Sequence, residues 1–181
     1  MKLAVNALRE KDLKDFVYFY ESKAVLEHSI GLIDERQTRL APAREAYGRA
    51  LQEDLNYYPA HVRLGMLALA RNDTVTALRE LDLAAQIRGD DPWVQTTYGV
   101  TLAQTGHLAD AEAHLRKAVE LEPLYAAPYY VLGRVAEMAG RAPDAIAHYR
   151  AYLAHARAKD SRVAEVQRRL KNLAAPLGAN R

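Results

Sequence analysis

Apolar residues recur along this chain at helical spacing, in short stretches broken by turn-forming residues. Near the C-terminus Val163, Val166, Leu170 and Leu173 follow an i, i+3, i+7, i+10 stripe with polar residues between, which is one face of a single helix. Near the start Leu8, Leu13, Phe16, Val17, Tyr20 and Ala24 keep a mostly helical rhythm. Between these ends a longer pattern overlies the helical one. Gly31, Gly65, Gly99 and Gly133 recur at one fixed interval, and Ala43, Ala77, Ala111 and Ala145 recur at the same interval. Ala50, Ala84 and Ala118 form a third column that Tyr152 completes, and Tyr47, Leu81, Leu115 and Tyr149 form a fourth that is large and apolar throughout. Glycine fills only 9 of 181 positions, so four in one column reflect a constraint and not chance.

A period of about 34 residues is too long for a turn of helix and too short for a domain; it belongs to units that bury their apolar faces by stacking on one another. Turn residues divide each unit into a first helix A and a second helix B. In the second unit helix A is expected over His61 to Ala70, the turn at Asn72-Asp73-Thr74 and helix B over Val75 to Gln86, followed by the breaker-rich link Arg88 to Pro92. The third unit turns at Thr105-Gly106-His107 and the fourth at Gly140-Arg141. A glycine inside helix A costs about 1 kcal/mol relative to alanine. Close packing against the alanine column of helix B is the expected compensation.

The best unit supplies Tyr98-Gly99, Leu102, Gly106, Leu108, Ala111, Leu115, Ala118 and Pro123, and this pattern resembles the tetratricopeptide repeat family. The resemblance covers four units, 24–57, 58–91, 92–125 and 126–159, and implies an all-α fold: a right-handed superhelical solenoid of antiparallel helix pairs. Residues 1–23 are then an N-terminal helical extension or cap, and residues 160–181 a basic C-terminal capping helix, with Ser161 at its N-cap, and a tail. The first unit matches least well. Asp34 stands where later units carry Ala68, Leu102 and Ala136, which predicts a wetter surface there.

In this family the A helices line a concave groove that receives a peptide or helix. By resemblance the partner-binding groove comprises Val62, Met66 and Leu69 from the second unit, Trp93, Thr96, Val100 and Gln104 from the third, and Tyr130, Arg134 and Met138 from the fourth. Members that clamp a terminal carboxylate place Asn in a column that here reads Leu32, Met66, Val100 and Arg134, so this sequence departs from the clamp. Met66, Trp93, Tyr130 and Met138 suit an apolar helix or extended peptide, because flexible thioethers and broad rings serve as anchors. The resemblance therefore implies a non-catalytic adaptor whose partner is another protein. The alternative is a structural or assembly subunit that uses its outer and terminal faces, its groove filled by its own N-terminal segment; self-association through that segment is a related reading.

Composition narrows the remaining classes. Hydrophobic residues make up 50% and charged residues 27%, a well-packed composition with a net charge of +2. With no cysteine there is neither a disulfide nor a thiolate metal site. No run of about 18 apolar residues offers a membrane span, and Asn6, Arg9 and Glu10 interrupt any signal-peptide core. A cytoplasmic location is expected, although a chain trimmed of a periplasmic signal would read alike. The six histidines form no HExxH and no close ligand pair; His114 and His148 share a column expected to face outward. Without a glycine-rich phosphate loop or GxSxG, no cofactor, metal or catalytic centre is expected. From Ala154 onward seven Lys or Arg face only Asp160 and Glu165, which leaves nucleic-acid or anionic-surface binding as a minor alternative. No aromatic residue in that stretch supplies a stacking platform.

Overall fold

The computed structural model describes residues 22–174, and among them all regular structure is helical. The expected N-terminal extension of residues 1–23, with the self-association assigned to it, lies outside the described residues as far as residue 21, as does the tail from residue 175. Two compact units divide between Arg88 and Gly89. The first contains α1 (Lys23–Arg36), α2 (Leu40–Glu53), α3 (Tyr58–Ala70) and α4 (Thr74–Ile87). The second contains α5 (Pro92–Gln104), α6 (Leu108–Leu121), α7 (Ala126–Met138), α8 (Ala142–His155) and α9 (Val163–Ala174). Short turns fold α1 on α2, α3 on α4, α5 on α6 and α7 on α8 as antiparallel pairs. Within the units α2 also packs on α3, α6 on α7 and α9 on α8.

One turn joins helix A to helix B four times over. Thr38, Asn72, Gly106 and Gly140, spaced by the same repeat interval, all take positive φ (58°, 60°, 87° and 71°). Each left-handed residue lets the next N–H bond back to a carbonyl five residues earlier: Arg39 to Asp34, Asp73 to Ala68, His107 to Leu102 and Arg141 to Ala136, all at 2.8–3.0 Å. This satisfies carbonyls that the helix end would leave orphaned and sets helix B going back along helix A. Glycine takes this conformation freely, asparagine tolerates it, and the β-branched Thr38 holds it under strain.

The glycine column meets a different neighbour from the one expected. A methyl on Gly99 would lie 2.7 Å from Leu115 Cγ, and one on Gly65 2.7 Å from Leu81 Cγ; at Gly31 and Gly133 it would collide with the rings of Tyr47 and Tyr149. The missing Cβ is thus filled by the large apolar column of helix B. The alanine column contributes backbone, with the Ala77 and Ala111 carbonyls 3.3 and 3.2 Å from the added methyl. Tyr47, Leu81, Leu115 and Tyr149 are fully buried as a result.

Two further expectations need correction. Asp34 is not in wet surroundings: it is buried, and its carboxylate takes a hydrogen bond from Arg39, which the adjacent turn brings back over it. The last helix begins at Val163, and Asp160, not Ser161, receives a backbone N–H at its entry, from Arg162 at 3.0 Å. Val166 is buried against Ala136, Ala145, Tyr149 and Tyr152, with Val163, Leu170 and Leu173 packed beside it.

A latch that the apolar pattern does not reveal ties helix A to the link before it. His61 donates Nε2–H to the Leu55 carbonyl (3.0 Å), Gln95 its amide to the Gly89 carbonyl (3.2 Å), and Tyr129 its hydroxyl to the Pro123 carbonyl (3.0 Å). Donor and acceptor both advance by one repeat from each unit to the next. In two units the same side chain also reaches helix B: His61 Nδ1 lies 2.8 Å from Glu80 Oε2, and Gln95 Oε1 accepts from His114 Nδ1 at 2.7 Å. His61 therefore faces two acceptors and carries protons on both nitrogens.

Candidate functional site

The exposed faces of the A helices are built separately in the two units. In the first, Met66 is 39% exposed and Leu69 half-buried on α3, with Leu32 half-buried on α1. Val62, assigned to the groove by resemblance, is fully buried and belongs to the packing. Beside this apolar surface Tyr47, passing over Gly31, donates its hydroxyl to Glu35 at 2.7 Å, and Arg63 lies 3.6 Å from the same carboxylate. Leu32, Glu35, Arg36 and Arg63 line a cleft of about 230 Å³. Burial and the Glu35 hydrogen bond together push the Tyr47 phenol well above its usual range.

In the second unit Asp91 caps α5 by accepting from Trp93 N–H (2.8 Å) and Val94 N–H (3.2 Å), which fixes the start of the helix. Trp93 is 36% exposed, Val100 half-buried and Gln104 exposed. Thr96, by contrast, is buried, with its hydroxyl turned onto the Pro92 carbonyl at 2.7 Å, so a polar residue assigned to the groove serves its own helix. On α7 Met138 is 56% exposed, while Tyr130 and Arg134 are half-buried.

Tyr130 and Arg134 are partly engaged by α9. The Tyr130 hydroxyl lies 3.3 Å from both oxygens of Glu165, and the Arg162 guanidinium stands 5.4 Å from its ring centroid. Arg169 bonds Glu137 and Glu165 at 2.8 Å each, whereas Arg134 approaches them at 3.9 and 4.0 Å. Tyr149, over Gly133, donates to Glu137 at 2.5 Å. The Arg169 hydrogen bond holds the Glu165 carboxyl below its usual range, and Arg162 holds Asp160 down at about 2. The basic stretch is thus partly neutralised within the chain: Arg162 and Arg169 are in ion pairs, while Arg157, Lys159, Arg168 and Lys171 remain exposed.

The histidines serve packing. His114, expected to face outward, instead donates to Gln95 and lies against Tyr98 with centroids 4.5 Å apart. His148 is half-buried, and burial is the main cause of its lowered pKa. His28 sits between the rings of Tyr47 and Tyr57, each 5.4 Å away, and burial lowers its pKa as well. Among the described residues no group of three or more His, Cys, Asp or Glu could hold a metal ion, and no helix is long and apolar enough to cross a membrane.

These features define an all-α protein of tandem antiparallel helix pairs with a glycine-to-bulky contact inside each pair. The sequence model of the tetratricopeptide repeat family matches residues 99–161. Among solved structures it is similar to the MamA protein, with 21% identity over 73% of this chain and 72% of that one and a TM-score of 0.66. It is also similar to YrrB, described as a tetratricopeptide repeat protein with an unusual peptide-binding site (18% identity, 81% and 75% covered, TM-score 0.69). A third likeness is to the first such domain of Spaghetti (RPAP3) bound to an HSP90 peptide (15% identity, 65% and 94% covered, TM-score 0.62). At these identities the likeness is one of fold. No curated protein matches the sequence.

Proposed function

We propose that the chain is a non-catalytic protein-interaction module that takes an apolar helix or extended peptide of another protein on its A-helix faces. The observation that carries this reading is the set of large apolar side chains left open on helices whose other faces are packed: Met66 in the first unit, Trp93 and Met138 in the second. Solvent-exposed thioether and indole surface on ordered helices is typical of protein contact sites. The proposed contact residues are Met66 and Leu69 in one unit and Trp93, Val100, Gln104, Tyr130, Arg134 and Met138 in the other. Val62 and Thr96 leave the set because they are buried. The peptide complex of Spaghetti and the peptide-binding site named for YrrB support the same use of this fold. The cytoplasm is proposed as the compartment on composition alone, and cell fractionation tests it.

The test is affinity capture of the native partner followed by Met66→Ala and Met138→Ala, each checked for unchanged helical content by circular dichroism. Truncating a buried anchor typically costs about 2 kcal/mol, or about thirtyfold in affinity. Partner binding unchanged in the double variant would refute the assignment.

A further inference from the structure

The packed edge between α2 and α3 of the first unit carries a second feature, lined by none of the contact residues above. Leu40, Ala41, Arg44, Leu67 and Arg71 enclose a cleft of about 330 Å³. Leu67 is buried at its floor and Leu40 is exposed at its wall. Arg44 and Arg71 are both exposed, and neither has a hydrogen-bond or ion-pair partner among the described residues. Other arginines at the start of or within the second helix of a pair are in ion pairs, including Arg39 with Asp34, Arg49 with Glu27, Arg79 with Glu80 and Arg116 with Glu112. Two arginines lining one apolar cleft can offer their donors to an anion while the apolar part of the same ligand lies on the leucines.

The matching junction of the second unit shows what closes such a cleft. Two repeats further on, Arg44 becomes Glu112 and Arg71 becomes Ala139. There Arg141, from the next turn, reaches back to Glu112 at 2.5 Å, and Arg116 pairs with the same carboxylate. In the first unit Asp73 stands at the position of Arg141, but its carboxylate is turned to its own helix, where it accepts from Thr76 N–H at 3.1 Å. The acid at that position is thereby bonded to its own helix, with an attraction to Arg71 but no ion pair to it, and the cleft keeps both arginines beside its leucines.

We propose that this cleft is a separate binding site for an acidic peptide segment of a partner protein, with one apolar side chain on Leu67 between carboxylates that bond Arg44 and Arg71. Arginine forks suit carboxylates, and the apolar floor adds the requirement for a hydrophobic residue beside them. The probe is the end-blocked pentapeptide Glu-Glu-Leu-Glu-Glu, titrated into the isotope-labelled full chain and followed by amide NMR shifts, with the glutamine counterpart Gln-Gln-Leu-Gln-Gln as control. The glutamate peptide is expected to shift Leu40, Ala41, Leu67 and Arg71. The glutamine peptide should bind about tenfold more weakly, and Arg44→Gln with Arg71→Gln should produce a similar loss. Arg44→Glu, which copies Glu112, should abolish binding, whereas Met138→Ala should leave it unchanged. Equal affinity for the two peptides, or full binding by the double variant, would overturn the proposal. So would line broadening at these amides with protein concentration alone, which would assign the cleft to a second copy of the chain. Because the readout is local to the cleft, its failure leaves the A-helix face to be judged by its own variants.

Discussion

Replacing His61 should cost stability and remove a pH dependence at the same time. Its side chain and that of Glu80 are about nine-tenths buried, 2.8 Å apart, and the second ring nitrogen is committed to the Leu55 carbonyl. Burial opposes the imidazolium, but the hydrogen bonds to Glu80 and Leu55 outweigh it, so the His61 pKa lies above the ordinary 6.5. Glu80 is held below 4.5, chiefly by the bond from His61. A base whose folded pKa is raised stabilises the fold fully below 6.5 and loses that contribution as pH rises through the folded value. An acid whose folded pKa is lowered contributes above 4.5 and fails as pH falls through its folded value. His28 and His148, with lowered values, act in the opposite sense, their stabilisation rising with pH up to about 6.5 and flat beyond it. Of these three histidines, only His61 therefore changes its contribution above neutrality. His61→Ala strands a buried carboxylate and a carbonyl; with Arg79 still 2.8 Å from Glu80, the cost should be about 3 kcal/mol, the low end for a broken buried pair. His61→Gln restores one donor, as Gln95 does in the next repeat, and should cost about 1 kcal/mol. Urea unfolding followed by circular dichroism at intervals from pH 6.5 to 9 is the assay. The wild-type chain should lose stability across that range and the glutamine variant should not. The same decline in both would refute the paired imidazolium.

Two further substitutions test the packing. Gly99→Ala should destabilise by about 1–2 kcal/mol, because the added methyl meets Leu115, while Gly48→Ala, with nothing within 4 Å, should stabilise by about 0.5–1 kcal/mol; thermal unfolding shifted in the same direction by both would show that the close contact is misassigned. Thr38→Gly should raise the melting temperature slightly, by about 0.5 kcal/mol of stability, since relief of the left-handed strain exceeds the extra entropy of glycine in the unfolded chain; a lower melting temperature would contradict the strain.

Residues whose role depends on size and period were readable from the sequence. The repeat columns gave the helix pairs, and the stripe Val163, Val166, Leu170, Leu173 gave a helix that does bury Val166. Groove positions carried over by register were less secure. Val62 and Thr96 lie on the same helix face as Met66 and Val100 but one turn nearer the helix start, where that face is already covered, so position along the helix and not the face decides burial. Polar partners were hidden for another reason. Asp34 reads as a break in an apolar column until Arg39 is folded back over it, and His114 reads as a surface residue until Gln95 is placed opposite it across a helix pair. One such signal is present in the sequence: His61, Gln95 and Tyr129 form a column of side-chain donors in register with the repeat.

The tyrosine and leucine versions of the helix-B column carry a lesson for recombination. Where helix B brings Tyr47 or Tyr149 across the glycine, helix A supplies Glu35 or Glu137 to receive the hydroxyl; where it brings Leu81 or Leu115, helix A has Leu69 or Ala103 instead. Exchanging one helix alone would pair a hydroxyl with an aliphatic wall, or a carboxylate with a leucine, and either intermediate is worse than both parents. The heritable module is consequently the hairpin, and such an array can lengthen, shorten or shuffle by whole hairpins much more readily than by single helices.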